Sequence, residues 1–483
     1  MSCAPAWPLV IQGGMGVGVS SWPLARAVAL GGQLGVVSGT ALDTLFVRRL
    51  QDGDPGGHLR RALGRFPHPR VAAEVLTRYF RRDGRPARTP YKPLALYEQV
   101  VDKVREQVTV LANFAEVLLA KEGHQGAVGI NLLTKVQLPT LASLYGAMLA
   151  GVDYVLMGAG IPREIPGALD RLAEHLPAAL KLELDGGEEA PGERLTFDPA
   201  TLRPPAAQPL RRPRFLAIVA SNSLATLLAR KASGHVDGFV VEGPTAGGHN
   251  APPRGERRHN QRGEPIYGAR DHVDLGQLAA LGRPFWLAGG SGSPERLAAA
   301  RAAGAAGVQV GTLFALCRES GLLAALKRRV LAALRRGTVD VVTDPRASPT
   351  GYPFKVVQLE ETLAQEPAYA ARQRVCDLGY LRRPYRRPDG ELGYRCPAEP
   401  VERFLAKGGD GAETAGRKCL CNALLADVGH GQVRPGGEEL PLVTGGDELA
   451  RLPPALVARG DFTAADVLAY LLATPAPVAG RPI

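Results

Sequence analysis

Two rhythms of apolar and polar positions alternate along this chain. Short apolar runs at 9–12, 35–38, 127–133, 154–157, 215–220, 238–241, 284–288 and 307–310 read as buried strands. Between them, apolar residues recur at helical spacing over 23–30, 110–121, 139–150, 166–180, 223–232, 275–281, 294–303 and 322–336. Eight strands, nearly all followed by helices, fit a closed (β/α)8 barrel better than an open doubly wound sheet. The rhythm breaks over 41–110, where Arg-rich helical stretches (71–80 and 94–108) flank a Pro/Gly/Arg link at 81–93. That segment reads as a helical insertion between the second strand and its helix, suited to a lid or a subunit contact. Residues 181–214 are rich in Glu and Pro and read as loop with one hairpin. From about 341 onward Pro, Gly, Arg and Cys rise, and helical periodicity stays weak until 461–473. The expected organisation is therefore a barrel over 1–340, carrying the insertion, and a C-terminal extension over 341–483. The extension's first part, 343–357, is expected to return toward the active-site face.

Composition narrows the class. A chain of 483 residues with 45% hydrophobic residues can bury a large core and still carry additions. No apolar run approaches the roughly 20 residues that a membrane-spanning helix needs. Residues 1–8 lack the basic start of a secretory signal, so a soluble cytoplasmic protein is expected. The net charge of +11 raises the question of nucleic acid. Arginine is nevertheless scattered and locally balanced, and its one dense cluster (Arg382, Arg383, Arg386, Arg387) belongs to no nucleic-acid motif. Small molecules are the expected partners, with no nucleic acid and no membrane; homo-oligomerisation stays open.

The chemistry gathers at strand ends. The sixth strand runs through Val240, Val241 and Glu242 into Gly243-Pro244-Thr245-Ala246-Gly247-Gly248-His249-Asn250. Glycines there allow close approach to a flat ligand, and a titratable ring follows at the lip. After the seventh strand, Ala288-Gly289-Gly290-Ser291-Gly292 precedes Ser293 and Pro294, a helix cap and first helical residue. Such a turn aims backbone N–H groups at an anion. The eighth strand ends in Gln309-Val310-Gly311-Thr312, which sets a second glycine and a hydroxyl beside the same spot. In a barrel this is where phosphate is commonly held.

Five motifs, in order over about residues 9–357 and excluding the 41–110 insertion, resemble the nitronate monooxygenase (2-nitropropane dioxygenase-like) family of FMN-dependent barrel enzymes, which is related to flavin-dependent enoyl-acyl-carrier-protein reductases. They are Gln12-Gly13-Gly14-Met15, Gly129-Ile130-Asn131, Ala246-Gly247-Gly248-His249, Ala288-Gly289-Gly290 and Gln309-Val310-Gly311-Thr312. The resemblance implies that Gly13, Gly14, Met15 and Asn131 line the flavin ring. It places Gly247, Gly289, Gly290, Gln309, Val310, Gly311 and Thr312 around the ribityl phosphate, and makes His249 the acid/base residue. Glu242 stands beside the cofactor where such enzymes often carry Gln. The expected reaction is FMN-dependent oxidation of an alkyl nitronate, or another small anion, with dioxygen. The alternative is an enoyl-thioester reductase drawing on NAD(P)H, for which no separate G-x-G-x-x-G fingerprint is present. A third reading, an inert barrel whose extension binds a partner, predicts a colourless protein.

Ordinary roles compete at each position. A loop histidine can be a plain hydrogen-bonder, Asn131 can satisfy a strand end, and Met15 can fill a core gap. Arg254 and Lys355 are candidates for attracting an anion, against the alternative of solvated charges. Cys376, Cys396, Cys419 and Cys421 fall close together in a chain with only 6 Cys. Four thiolates suit zinc or an iron–sulfur cluster, although the spacing is not C-x2-C; free, partly buried thiols are the alternative.

Overall fold

A computed structural model describes residues 7–185, 193–202 and 208–475. Its centre is a ring of eight parallel strands: β1 (Val10–Gln12), β2 (Gly35–Ser38), β3 (Val128–Leu133), β4 (Tyr154–Gly158), β5 (Arg214–Val219), β6 (Gly238–Glu242), β7 (Phe285–Ala288) and β8 (Gly307–Val310). Each pairs with its sequence neighbour, and β8 pairs with β1 with Val308 opposite Val10. The ring closes between β1 and β2, where Gln12 N–H donates to the Leu34 carbonyl (2.9 Å) and Leu34 N–H to that of Val10 (3.1 Å). The (β/α)8 barrel expected from the alternation is what forms.

Period two along each strand sorts side chains into two sets. Ile11, Val36, Leu156, Leu216, Val240 and Trp286 form one small apolar cluster, which is the barrel interior. Their neighbours Val10, Val37, Val155, Phe215, Phe239 and Phe285 join the larger cluster beneath the helices. Trp7 seals the interior at the N-terminal end, edge-on to Tyr154 and Trp286, while the Trp286 indole N–H donates to the Pro8 carbonyl (2.8 Å). Continued toward the C-terminal ends, the inward parity falls on Asn131, Glu242 and Gln309. Polar residues there meet a cavity instead of the packed interior.

Several elements differ from the expected ones. The stretch 94–108 is irregular as far as Asp102, whose side chain caps one long helix, Lys103–Lys121, by accepting from Arg105 N–H. Helical spacing over 94–102 is overridden by tertiary anchors: Tyr97 is buried beside Thr109, and Gln99 N–H donates to the Tyr394 hydroxyl (2.6 Å). The helix expected over 166–180 is Ile165–Ala173, and Ala178–Lys181 then pairs antiparallel with Arg194–Phe197. The segment between β2 and the long helix contains the helices Leu42–Gln51, His58–Leu63 and Pro69–Tyr79.

Parts of the chain beyond 340 reach the barrel mouth. Val341–Asp344 and Phe354–Val357 form an antiparallel hairpin whose second strand reaches the loop after β6. Lys355 N–H donates to the Gly248 carbonyl (2.9 Å), Asn250 N–H to that of Pro353 (2.9 Å), and Gly248 N–H to Thr444 Oγ1 (2.8 Å). Further out, the Arg382–Arg387 cluster is spent on pairing: Arg383 with Asp185 and Glu413, Arg386 with Glu193, Arg387 with Asp389. Among the described residues no helix is long and apolar enough to cross a membrane.

Candidate active site

The cavity at the C-terminal ends of the strands is shaped first by Gln12, fully buried at the end of β1. Its Oε1 accepts from Val36 N–H (3.0 Å), and its Nε2 donates to Ser20 Oγ (2.9 Å). Ser20 Oγ in turn donates to the Gly13 carbonyl (2.9 Å) and accepts from Met15 N–H (2.9 Å). This network fixes the turn 13–16 as part of the cavity floor. Gly14 is required there, since a Cβ would collide with the Asn131 side chain. A Cβ on Gly13 would lie 3.3 Å from Gln309 Cγ. The amide oxygens of Asn131 and Gln309 are buried without a partner, and both residues line the cavity. Acceptors left open in this way point to a ligand with hydrogen-bond donors. A flavin ring has an N–H to offer, and the glycine floor leaves room for its plane, so the residues present fit that group.

Two titratable side chains stand on the walls. Glu242 ends β6, and burial pushes its carboxyl up to about 8. His249 is pulled down to about 4, again by burial, because no carboxylate compensates the imidazolium. Both face the cavity yet lie deep beneath the extension. The ring packs edge-on against Phe354 (4.9 Å), and its Nε2 is 2.7 Å from Ser348 Oγ, which is 2.8 Å from Thr350 Oγ1. At neutral pH the site therefore presents a neutral imidazole and a protonated carboxyl.

The raised Glu242 carboxyl has a consequence for stability. A carboxyl whose folded value exceeds its unfolded one contributes stability that is complete below about 4.5 and lost as pH rises through about 8. Glu242→Gln should therefore melt at the same temperature as the parent at pH 4, and at a higher temperature at pH 9. Melting curves of flavin-free protein at the two pH values check this; equal melting at pH 9 would show that the carboxyl is not desolvated.

Most residues expected to bind the cofactor do border the cavity: Gly13, Gly14, Met15, Asn131, Glu242, Gly247, Gly289, Gln309, Gly311 and Thr312, with His249 on the wall. Gly290 sits behind Thr245, and Val310 has outward parity and packs in the core, leaving its carbonyl to accept from Gly13 N–H (2.9 Å). Neither borders the cavity. Arg254 and Lys355 are likewise not brought in. Arg254 donates to the Arg270 carbonyl (2.7 Å), while Lys355 is buried against Thr343 (2.7 Å) and Asp447 (2.6 Å). Reading the sequence missed the extension's share of the wall: Ser348 behind His249, and Asp427, Thr444, Gly446 and Glu448 at the cavity itself. The predicted return of 343–357 was the one signal for any of them.

The cysteines do meet, but not as a metal site. Cys376, Cys396, Cys419 and Cys421 border one small apolar space. Among the described residues, however, no group of three or more His, Cys, Asp or Glu side chains is placed to hold a metal ion. The zinc or iron–sulfur expectation is corrected accordingly. The thiols are free and pair off, Cys376 with Cys396 and Cys419 with Cys421. The bond from Cys421, with Arg372 nearby, holds the Cys419 thiol down, while its partner is pushed up.

A parallel barrel with glycine turns and open amide acceptors at one mouth makes a site suited to a flat ligand over the strand ends. Residues 194–350, spanning β5 to β8 and Ser348, match the family model described as nitronate monooxygenase. The matched segment carries three of the five motifs, those at 246–249, 288–290 and 309–312. No curated protein matches the chain. Solved structures that it is similar to include FabK from Thermotoga maritima (15% identity, 97% of this chain and 92% of that one, TM-score 0.46). A nitroalkane oxidase from Streptomyces ansochromogenes is another (16% identity, 96% and 94%, TM-score 0.44). A third is the enoyl reductase domain of MlnA from the macrolactin biosynthesis cluster of Bacillus amyloliquefaciens (13%, 74% and 64%, TM-score 0.36).

Proposed function

We propose that the chain is an FMN-dependent oxidoreductase that oxidises alkyl nitronates with dioxygen. The observation that carries this reading is the pairing of a neutral imidazole with open amide acceptors in one glycine-floored cavity. FMN, when bound, would accept electrons from the substrate and pass them to dioxygen. Asn131 and Gln309 would receive the ring's hydrogen-bond donors, and Gly13 and Gly14 would let its face lie close to the backbone. His249, uncharged at neutral pH, can take the α-proton of a nitroalkane and so generate the nitronate in place. Ser348 Oγ at Nε2 orients the ring and joins it to Thr350. The protonated Glu242 presents no charge to an incoming anion and can donate a hydrogen bond to it.

Glu242 also supports a second reading, an enoyl-thioester reductase using NAD(P)H. Reduction of a carbon–carbon double bond needs a proton as well as a hydride, and a carboxyl still protonated at neutral pH can supply one. One experiment separates the two. The full chain is purified, its visible spectrum recorded with riboflavin phosphate present, and the flavin bands followed without oxygen. Bleaching by an alkyl nitronate alone is expected; bleaching by NAD(P)H alone would replace the first reading with the second. Failure to retain any flavin would remove both.

A further inference from the structure

The turn after β7 and the hydroxyl after β8 read in the sequence as an anion seat, and the structure holds a carboxyl side chain there, whose pKa burial raises. Glu448, from the extension, places Oε2 3.1 Å from Gly292 N–H as acceptor. Thr312 Oγ1 accepts from Gly446 N–H (3.0 Å) and so directs its own hydrogen to the Glu448 carboxylate. The segment is pinned by Asp447 N–H donating to the Thr245 carbonyl (3.0 Å) and by Gly248 N–H donating to Thr444 Oγ1 (2.8 Å). Glycine is needed on the opposing loop, since a Cβ on Gly247 would come within 2.9 Å of the Gly445 backbone. Two donors that a phosphate oxygen would use are thus already satisfied by a carboxylate, in a wall of the same cavity.

We infer that Glu448 is a specificity residue of the coenzyme site, holding the phosphate seat so that a phosphorylated flavin must displace its carboxylate whereas an unphosphorylated one need not. The inference rests on the flavin reading above. A phosphate oxygen and the Glu448 carboxyl cannot both take Gly292 N–H and Thr312 O–H, because each donor has a single hydrogen and the carboxyl already accepts it. Riboflavin would occupy the ring portion of the cavity, between Asn131 and Gln309, without touching the seat.

The test compares FMN and riboflavin binding to the full chain by quenching of flavin fluorescence. In the wild type the two should bind with similar affinity. In Glu448→Gln, whose neutral amide can donate to phosphate, FMN should bind at least about tenfold tighter than riboflavin. Glu448→Ala should change in the same direction, and circular dichroism confirms that each variant is folded. A purely structural role would weaken both flavins equally. On the unaltered chain, hydrogen exchange over 443–448 should rise on adding FMN and stay unchanged with riboflavin. A tenfold FMN preference already present in the wild type and unmoved by either substitution would overturn the role of Glu448 while leaving the flavin reading intact. Binding of neither flavin by any variant would overturn the flavin reading, and this inference with it.

Discussion

Replacing His249 by alanine is expected to lower turnover by about 10²- to 10⁴-fold, the range by which a positioned acid or base accelerates proton transfer. Flavin retention should be unaffected, because the loop is held through the main chains of Lys355 and Pro353 and the Thr444 hydroxyl and not through the imidazole. The pH profile gives the sharper check. Burial holds the ring down to about 4, so the base is neutral above that value and activity should be lost only as pH falls through about 4. Between pH 6 and 8 the parent's kcat/KM should be flat with respect to this group. In the alanine variant the acidic limb should disappear along with most of the rate. A variant that turns over nitroalkane at the parental rate would place the base elsewhere, and a limb near 6.5 would show the ring to be solvated.

The largest stability effect is expected at Asp43, far from the cavity. Its carboxylate pairs with Arg105 at 2.9 Å, with both side chains 2–3% exposed. Thr109 Oγ1 donates to it (3.0 Å), the Tyr380 hydroxyl donates to it, and Arg105 in turn donates to Tyr380 (3.0 Å). Asp43 lies on a helix following β2, Arg105 on the long helix before β3, and Tyr380 in the extension, so one buried network ties three regions together. Asp43→Ala leaves the guanidinium without a counter-charge in an apolar setting and should cost about 3–5 kcal/mol. Urea unfolding followed by circular dichroism would measure it. Because the desolvation cost of both ions is large, the double variant Asp43→Leu/Arg105→Met should recover most of the loss. A single variant with an unchanged midpoint would show that water reaches the pair.

The barrel was legible because buried parallel strands leave continuous apolar runs, and each run found its place in the ring. The mouth was legible for a related reason. Polar residues ending such runs, Asn131 and Gln309 among them, have no use in a packed interior. Parity was the part overlooked: Val310 adjoins Gln309 in sequence but points the other way, into the core. Where reading failed, a distant contact had outweighed local preference. Residues 94–102 carry helical spacing, yet Tyr97 and Gln99 are held by Thr109 and Tyr394. Lys355 looks like a free cation in sequence and is buried against Thr343 and Asp447. Glu448 has no local signature at all, because its meaning depends on a turn 156 residues earlier. The cysteines were rightly grouped by position, but composition alone does not set the geometry of a ligand shell.

The hairpin and the 444–448 segment give the His249 loop a timetable. During synthesis the strands that carry Asn131, Glu242 and Gln309 leave the ribosome well before the residues that anchor Gly248 and Asn250 to Lys355, Pro353 and Thr444. A nascent chain can contain all eight strands of the ring while the loop 246–250 still lacks those anchors. The cavity is finished last, after residue 448 has emerged, since Thr444, Gly446 and Glu448 complete its wall.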